Sequence, residues 1–206
     1  MIFRGQRTLM DDDNMTEKMA TARTNALSGV FRRFKRNTRG NVAIEFAALA
    51  LPFCLLVFAI LESCISFAAQ QVMTSVTDDV ARKFRTGQIR AADINPTELQ
   101  YKLRDMICEP LQIVVSKGCP GLVIDLRSHA TFKQAAEHRV AFKPDGDLDV
   151  KDFKIALGDA QSKNQLRVFY RWPVMTDLMR KAMSNLPDGK TLHYATVTWQ
   201  NEPFED

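Results

Sequence analysis

Two glutamates interrupt the most apolar stretch of this 206-residue sequence. Glu45 lies near the start of the stretch, and between Phe46 and Leu61 sixteen residues carry no charge before Glu62 follows. A charge at the centre of a bilayer costs about 2.5–3.5 kcal/mol on insertion scales, and less near the end of a span. Glu45 therefore either has a specific role or reaches the polar interface, where it contributes little.

The spacing of the two glutamates predicts a different environment for Glu62. It follows Glu45 by seventeen positions, which is roughly 25 Å along a helix and close to the ~30 Å thickness of the hydrocarbon layer. We therefore expect Glu62 to be a solvated residue at the far end of a membrane span.

The three histidines, His129, His138 and His193, are the next candidates for chemistry. No Ser or Cys lies in a nucleophile-elbow or papain-like context that would give them a catalytic partner. We expect surface histidines and a protein that is not an enzyme.

Four alternating aspartates resemble a calcium-binding loop: Asp145, Asp147, Asp149 and Asp152. An EF-hand requires Gly at its sixth position and Glu at its twelfth, and here Val150 and Ala156 occupy those places. We predict a solvated acidic loop, without a metal site or any other cofactor.

Cys108 and Cys119 lie in the part of the chain that we expect to be exported, where disulfides are permitted. Their bridge would close a loop of about a dozen residues and contribute on the order of 3 kcal/mol in the chain-entropy model. We predict this disulfide, with two reduced thiols as the alternative. The spacing does not suit zinc, which needs further Cys or His ligands nearby.

The elements that must position these residues begin with one long apolar helix. The run from Val42 to Ala69 exceeds the roughly 20 residues that a transmembrane helix needs. Five basic residues precede it within Arg32–Arg39, and such residues remain in the cytoplasm. The carboxyl-terminal part is thus expected to be exported, in a bacterium to the periplasm or beyond.

Several features stand together at the start of the apolar run. They are a basic leader, Gly40, four further residues, Glu45-Phe46 and a long apolar helix. This arrangement resembles the prepilin-peptidase site of type IV and Flp pilins, and GNVAIEFAALALPFCLLVFAILE resembles TadE-like pseudopilins of the tight-adherence pilus. Near the other end, YRWP at 170–173 and NEPF at 201–204 resemble the same family more loosely.

The resemblance implies cleavage between Gly40 and Asn41, which would make Glu45 the fifth residue. The new α-amino group is mostly protonated at neutral pH, and in an apolar bundle it needs a carboxylate partner. Glu45, followed by Phe46 in the packing helix, is expected to supply it. Implied partners are the prepilin peptidase, the major Flp pilin, sibling pseudopilins, the platform proteins and membrane lipid.

The excess of basic residues, net +4 for the chain, belongs to the leader. Residues 1–40 carry a net charge of +5, and residues 41–206 carry −1. Because the leader's charge sets membrane topology, no patch remains for nucleic acid, and we predict no nucleic-acid partner.

The pattern predicts an α+β, pilin-like protein in four parts. Residues 1–40 form a cytoplasmic leader that is cleaved, 41–69 a transmembrane helix, 70–90 its extension and 91–206 a periplasmic domain. Val72, Val76, Val80 and Phe84 recur every four residues and give the extension one apolar face.

Short helices and a small antiparallel sheet make up the predicted periplasmic domain. Asn95 caps a helix that starts at Pro96, with Glu98 completing a capping box and Pro110 stopping the helix. Residues 122–126, 166–172 and 191–200 have the β-branched and aromatic content of strands. A helix is expected over 174–185, and 139–142 is a candidate edge strand.

Two functions from different classes fit these features. In the first, the chain is a minor pseudopilin of a Tad/Flp pilus, resident in the bacterial inner membrane or in the pilus. In the second, it is a permanently anchored single-span protein whose periplasmic domain binds a ligand or organises the envelope, and Gly40 is never cut. A cleaved secretory signal ending near Ser66–Ala68 fits less well, because the apolar run is too long.

Overall fold

The structure is a computed structural model that describes residues 41–204, apart from the side chains of Asn41 and Leu178. The predicted leader, residues 1–40, lies outside the described residues, and so does Gly40 of the predicted processing site. The predicted domain boundaries stay predictions.

The longest element is α1 (Asn41–Arg85), a helix of 45 residues that continues through Pro52. The chain divides into two compact units within this helix, between Leu56 and Val57. The helix ends at Arg85, short of the predicted extension over 70–90, and Gly87 follows with a φ of +70°. Beside it, Gln88 N–H donates to the carbonyl of Lys83. A side chain at Gly87 would be strained and would also collide with the ring of Phe204.

The second helix, α2 (Pro96–Leu111), begins with the predicted capping box. Asn95 Oδ1 accepts from Glu98 N–H at 2.8 Å. Pro110 lies inside α2, and the helix ends one residue later, at Leu111. A proline so close to the carboxyl end is tolerated because it removes only one intrahelical hydrogen bond.

Three antiparallel strands form the sheet in the order β1 (Leu122–His129), β2 (Lys163–Pro173), β3 (Lys190–Gln200). Each strand is longer than predicted, and the small antiparallel sheet with short helices confirms the α+β fold class. The candidate edge strand at 139–142 is reduced to one bridge between Phe142 and Leu148.

Two short helices complete the described residues. The first, α3 (Phe132–Glu137), was not predicted; Thr131 caps it, its Oγ1 accepting from Gln134 N–H. The second, α4 (Asp177–Met183), is shorter than the predicted helix over 174–185.

The main core lies between one face of the sheet and the two long helices. Along α1, Met73, Val76, Val80 and Phe84 are buried, while Val72 is partly buried, so the predicted apolar face is largely confirmed. The sheet and α2 contribute the opposing side chains, which include Leu99, Leu103, Ile107, Leu126, Leu166, Val168, Trp172, Ala195 and Trp199.

The opposite face of the sheet is covered by α3 and the segment 138–160. Gln165 Nε2 donates to the carbonyl of Ala135, and Arg167 Nη1 donates to that of His138. The rings of Phe153 and Phe169 lie 5.3 Å apart between centroids. This polar segment of sequence therefore forms a covering layer.

Candidate functional site

The largest exposed apolar surface among the described residues is the first half of α1. Large apolar side chains there are exposed by 36% to 74% and surround the whole helix: Val42, Ile44, Phe46, Leu49, Leu51, Phe53, Leu55, Leu56, Val57, Phe58, Ile60, Leu61, Ile65 and Phe67. Soluble monomers rarely expose a continuous apolar surface of this kind. By length and composition, α1 qualifies as a membrane-spanning helix between Val42 and Arg85.

The residues of the predicted processing and pairing site lie at the start of this surface. Asn41 is the first residue of α1, and Glu45 and Phe46 follow as exposed residues of the same helix. Pairing of Glu45 with an amino terminus is untested by the structure and stays a prediction.

Glu62 is not the solvated residue expected from the sequence. It is 4% exposed, and its carboxylate accepts hydrogen bonds from the N–H groups of Met175 and Thr176 and from Thr176 Oγ1. Thr176 is also the N-cap of α4, accepting from Met179 N–H. The carboxylate therefore holds the start of α4 against α1.

No local sequence signal reveals this contact, because 113 residues separate Glu62 from Met175. The charge of a carboxylate in an apolar helix suggests a partner, but it does not say where the donors come from. Backbone N–H groups at a helix start are such donors, since they lack partners within their own helix.

His193 is buried against α1 rather than at the surface as predicted. Its Nε2 atom lies 3.0 Å from Ser66 Oγ, and its ring stacks on Trp172 at 5.3 Å between centroids. Burial lowers the pKa of His193 to about 4, so the ring is neutral at physiological pH. This histidine is part of the packing of the sheet on α1.

The other two histidines are partly buried on the far face of the sheet. The rings of His129 and His138 lie 5.8 Å apart, and burial, followed by nearby arginines, lowers the pKa of each. Within residues 41–204, no group of three or more His, Cys, Asp or Glu side chains is arranged to hold a metal ion.

A buried charge cluster lies beside them that the sequence did not indicate. Asp125, with a side chain 1% exposed, contacts Arg167 Nη2 at 2.5 Å and Arg127 Nε at 2.7 Å. Lys154 N–H also donates to this carboxylate. Burial alone would raise the pKa of Asp125, but these donors outweigh it, and the pKa is lowered. The carboxylate has its full set of partners and performs a structural role.

The acidic loop is less solvated than the sequence predicts. Asp147 pairs with Arg171 at 2.6 Å and with Lys143 at 2.9 Å, and these hydrogen bonds hold its pKa well below the usual range. The loop is thereby fastened to β2. Asp145 and Asp149 accept from backbone N–H groups within the loop.

The predicted disulfide is confirmed between Cys108 and Cys119, whose Cα atoms lie 5.8 Å apart. It joins the last turns of α2 to the turn before β1. Cys54 and Cys64 are free and exposed on α1.

Residues 40–82 of the chain match the model of the TadE-like protein family. The match confirms the resemblance drawn from the sequence and covers α1 up to its last turn. It associates the chain with the Tad pilus, whose TadE-like components are structural proteins. No curated protein and no solved structure matches the chain.

Proposed function

We propose that this chain is a minor pseudopilin of a tight-adherence pilus, cut after Gly40 by a prepilin peptidase. One observation carries the proposal. The segment that matches the TadE-like family begins at Gly40 and continues into a helix with exposed apolar side chains on every side and Glu45 in the second turn.

The apolar surface supports an assembly role for the first half of α1. In the membrane it contacts lipid before assembly, and in a filament it packs against the helices of the major Flp pilin and sibling pseudopilins. Glu45 pairs with the amino terminus created by cleavage, on its own chain or a neighbour, because a charge in such a bundle needs a partner.

The charge distribution supports a single span with its amino end in the cytoplasm of a bacterial inner membrane. The basic leader is retained inside, so the residues after the span reach the periplasm. A disulfide between Cys108 and Cys119 suits that compartment, since disulfides persist where the surroundings are oxidising. The platform proteins of the pilus are proposed partners on this route.

The test is the intact mass and amino-terminal sequence of the membrane-extracted protein, from cells with and without the prepilin peptidase. We expect a chain that starts at Asn41 only when the peptidase is present. Gly40→Val should block cleavage while membrane insertion continues, and Gly29→Val, which changes a leader glycine outside the motif, should be cleaved normally.

Retention of the whole leader beside an active peptidase would overturn the proposal. The chain would then be a permanent anchor with a periplasmic binding or envelope-organising domain. A chain cut near Ser66–Ala68 would overturn both, because the apolar helix would be a secretory signal.

A further inference from the structure

The short helix α4 has an unusual position on α1. Its N-cap, Thr176, binds Glu62, and at its other end Met183 Sδ lies 3.9 Å from Ser63 Oγ. Glu62 and Ser63 are consecutive and differ in height along α1 by about 1.5 Å, whereas α4 is about 10 Å long. The short helix therefore lies across α1 and not along it.

The short helix α4 crosses α1 at Glu62, where the uncharged stretch of α1 ends. The exposed apolar residues Phe58, Ile60 and Leu61 immediately precede Glu62 on α1. If this part of α1 is in the membrane, a helix lying across it at Glu62 runs parallel to the membrane surface. Its height is then the boundary between acyl chains and headgroups.

The exposed side chains of α4 and its flank suit that boundary. Met175, just before the helix, is 62% exposed although it is apolar. Arg180 and Lys181 are exposed near the other end. Arg180 is paired with Asp177 at 3.0 Å, while Lys181 has no ion pair within residues 41–204. An apolar side chain beside exposed cations is typical of helices that lie in a membrane interface.

We infer that α4 is an interfacial helix that rests on the outer surface of the phospholipid bilayer. Met175 enters the acyl boundary, Lys181 contacts headgroup phosphates, and Glu62 joins this helix to the span. The inference rests on the membrane span in the proposed function. Its consequence is a head, residues 86–204, held in one orientation to the membrane before assembly.

The occupant is lipid and not a second protein for two reasons. Met175 N–H donates to Glu62, so Met175 lies next to the exposed apolar residues that precede Glu62 on α1, and the lipid around the span also reaches Met175. The exposed cations are complementary to headgroup phosphates, because Lys and Arg side chains near an anionic membrane surface are attracted to it.

The test is the depth of a nitroxide label in the full chain, reconstituted in vesicles that contain phosphatidylglycerol. Cys54 and Cys64 are replaced by Ala, and single labels are placed at Met175→Cys, Phe58→Cys and Lys83→Cys. Phe58 reports the span, while Lys83 is an exposed control roughly 38 Å further along α1 than Phe58.

We expect the Met175 label to collide with oxygen more than with a water-soluble nickel complex, at a depth within about 5–10 Å of the headgroup boundary. The Phe58 label should lie deeper, and the Lys83 label should be fully aqueous. An aqueous Met175 label with a deep Phe58 label overturns the inference and leaves the span intact. Aqueous labels at both positions overturn the span as well.

A Met175 label shielded from both oxygen and nickel would also overturn the inference, because protein and not lipid would then cover α4. The role of charge is tested by adding Lys181→Glu to the Met175 label. We expect higher nickel collision for Lys181→Glu, and no change for the matched reversal Lys83→Glu. Equal changes in nickel collision for Lys181→Glu and Lys83→Glu would show that Lys181 does not contact headgroups.

Discussion

Glu45 and Glu62 lie on one helix and in one apolar stretch, yet the structure surrounds them differently. Glu45 is exposed among apolar side chains that are themselves exposed. Glu62 is buried, and two backbone N–H groups and a hydroxyl donate to its carboxylate. The second carboxylate therefore joins two distant segments of the chain, whereas the first lies on the exposed apolar part of α1.

The same contrast extends to the two halves of α1. Up to Phe67 the apolar side chains face outward on every side, whereas beyond Phe67 they are restricted to one stripe that packs into the core. Under the proposed function, an apolar residue in the first half serves insertion or assembly. An apolar residue in the second half stabilises the folded head.

The largest effect should come from comparing one phenylalanine of each half. Phe84 is fully buried and stacks with Trp199 at 6.3 Å, so Phe84→Ala should lower the free energy of unfolding of the head by about 3–5 kcal/mol. Phe53 is exposed, and Phe53→Ala should change it by less than about 0.5 kcal/mol. Urea unfolding in detergent, followed by tryptophan fluorescence, measures both. Equal losses would show that the contrast between the halves is wrong.

A smaller effect concerns His193, through which the sheet packs on the middle of α1. Its pKa is about 4 in the folded chain and near 6.5 when unfolded. Between these two pH values the imidazole is protonated in the unfolded chain and neutral in the folded chain. The free energy of unfolding therefore falls as the pH falls. The loss should total roughly 3 kcal/mol from about pH 6.5 down to about pH 4.

The measurement is the free energy of unfolding against pH for the native chain and for His193→Asn. The variant should lose most of the slope between about pH 4 and 6.5. His129 and His138 should leave a smaller slope of the same sign, because burial lowers their pKa values too. An unchanged slope would contradict a buried neutral imidazole at position 193.

The smallest effect returns to the two glutamates. Glu62→Gln removes charge from the cap of α4 but retains one acceptor, so it should destabilise the head by about 1–2 kcal/mol. Glu45→Gln should leave head stability unchanged and, under the proposed function, reduce assembly. Hydrogen exchange of the α4 amides distinguishes the two variants. Faster exchange of the α4 amides in Glu45→Gln would mean that Glu45 also affects the start of α4, contrary to the contrast between the two glutamates.

Much of the fold was predictable because its signals are local. The capping box of α2, the four-residue stripe of α1 and the β-branched runs of the strands each depend on neighbours within one element. The disulfide was predictable because two cysteines stand in the part of the chain that is expected to be exported. The short helix α3 was missed because its six residues are too few for a period to show.

The errors concern polar residues whose partners are distant in sequence. Asp147 was expected in solvent and pairs with Arg171. His193 was expected at the surface and is buried on Ser66. The predicted strand over 122–126 includes Asp125 without indicating a partner, and its partner Arg167 lies opposite it on the neighbouring strand. In each case the residue type signalled a need for a partner without identifying it.

The sequence by itself determined the long apolar helix, its basic flank and the position of Glu45 one turn from Asn41. These depend on hydropathy, charge and spacing along a single chain segment, which act before any tertiary contact forms. Only the tertiary structure decided that Glu62 anchors α4 and that His193 is neutral. Burial and hydrogen bonding are set by which distant segments meet, and that information is spread over the whole fold.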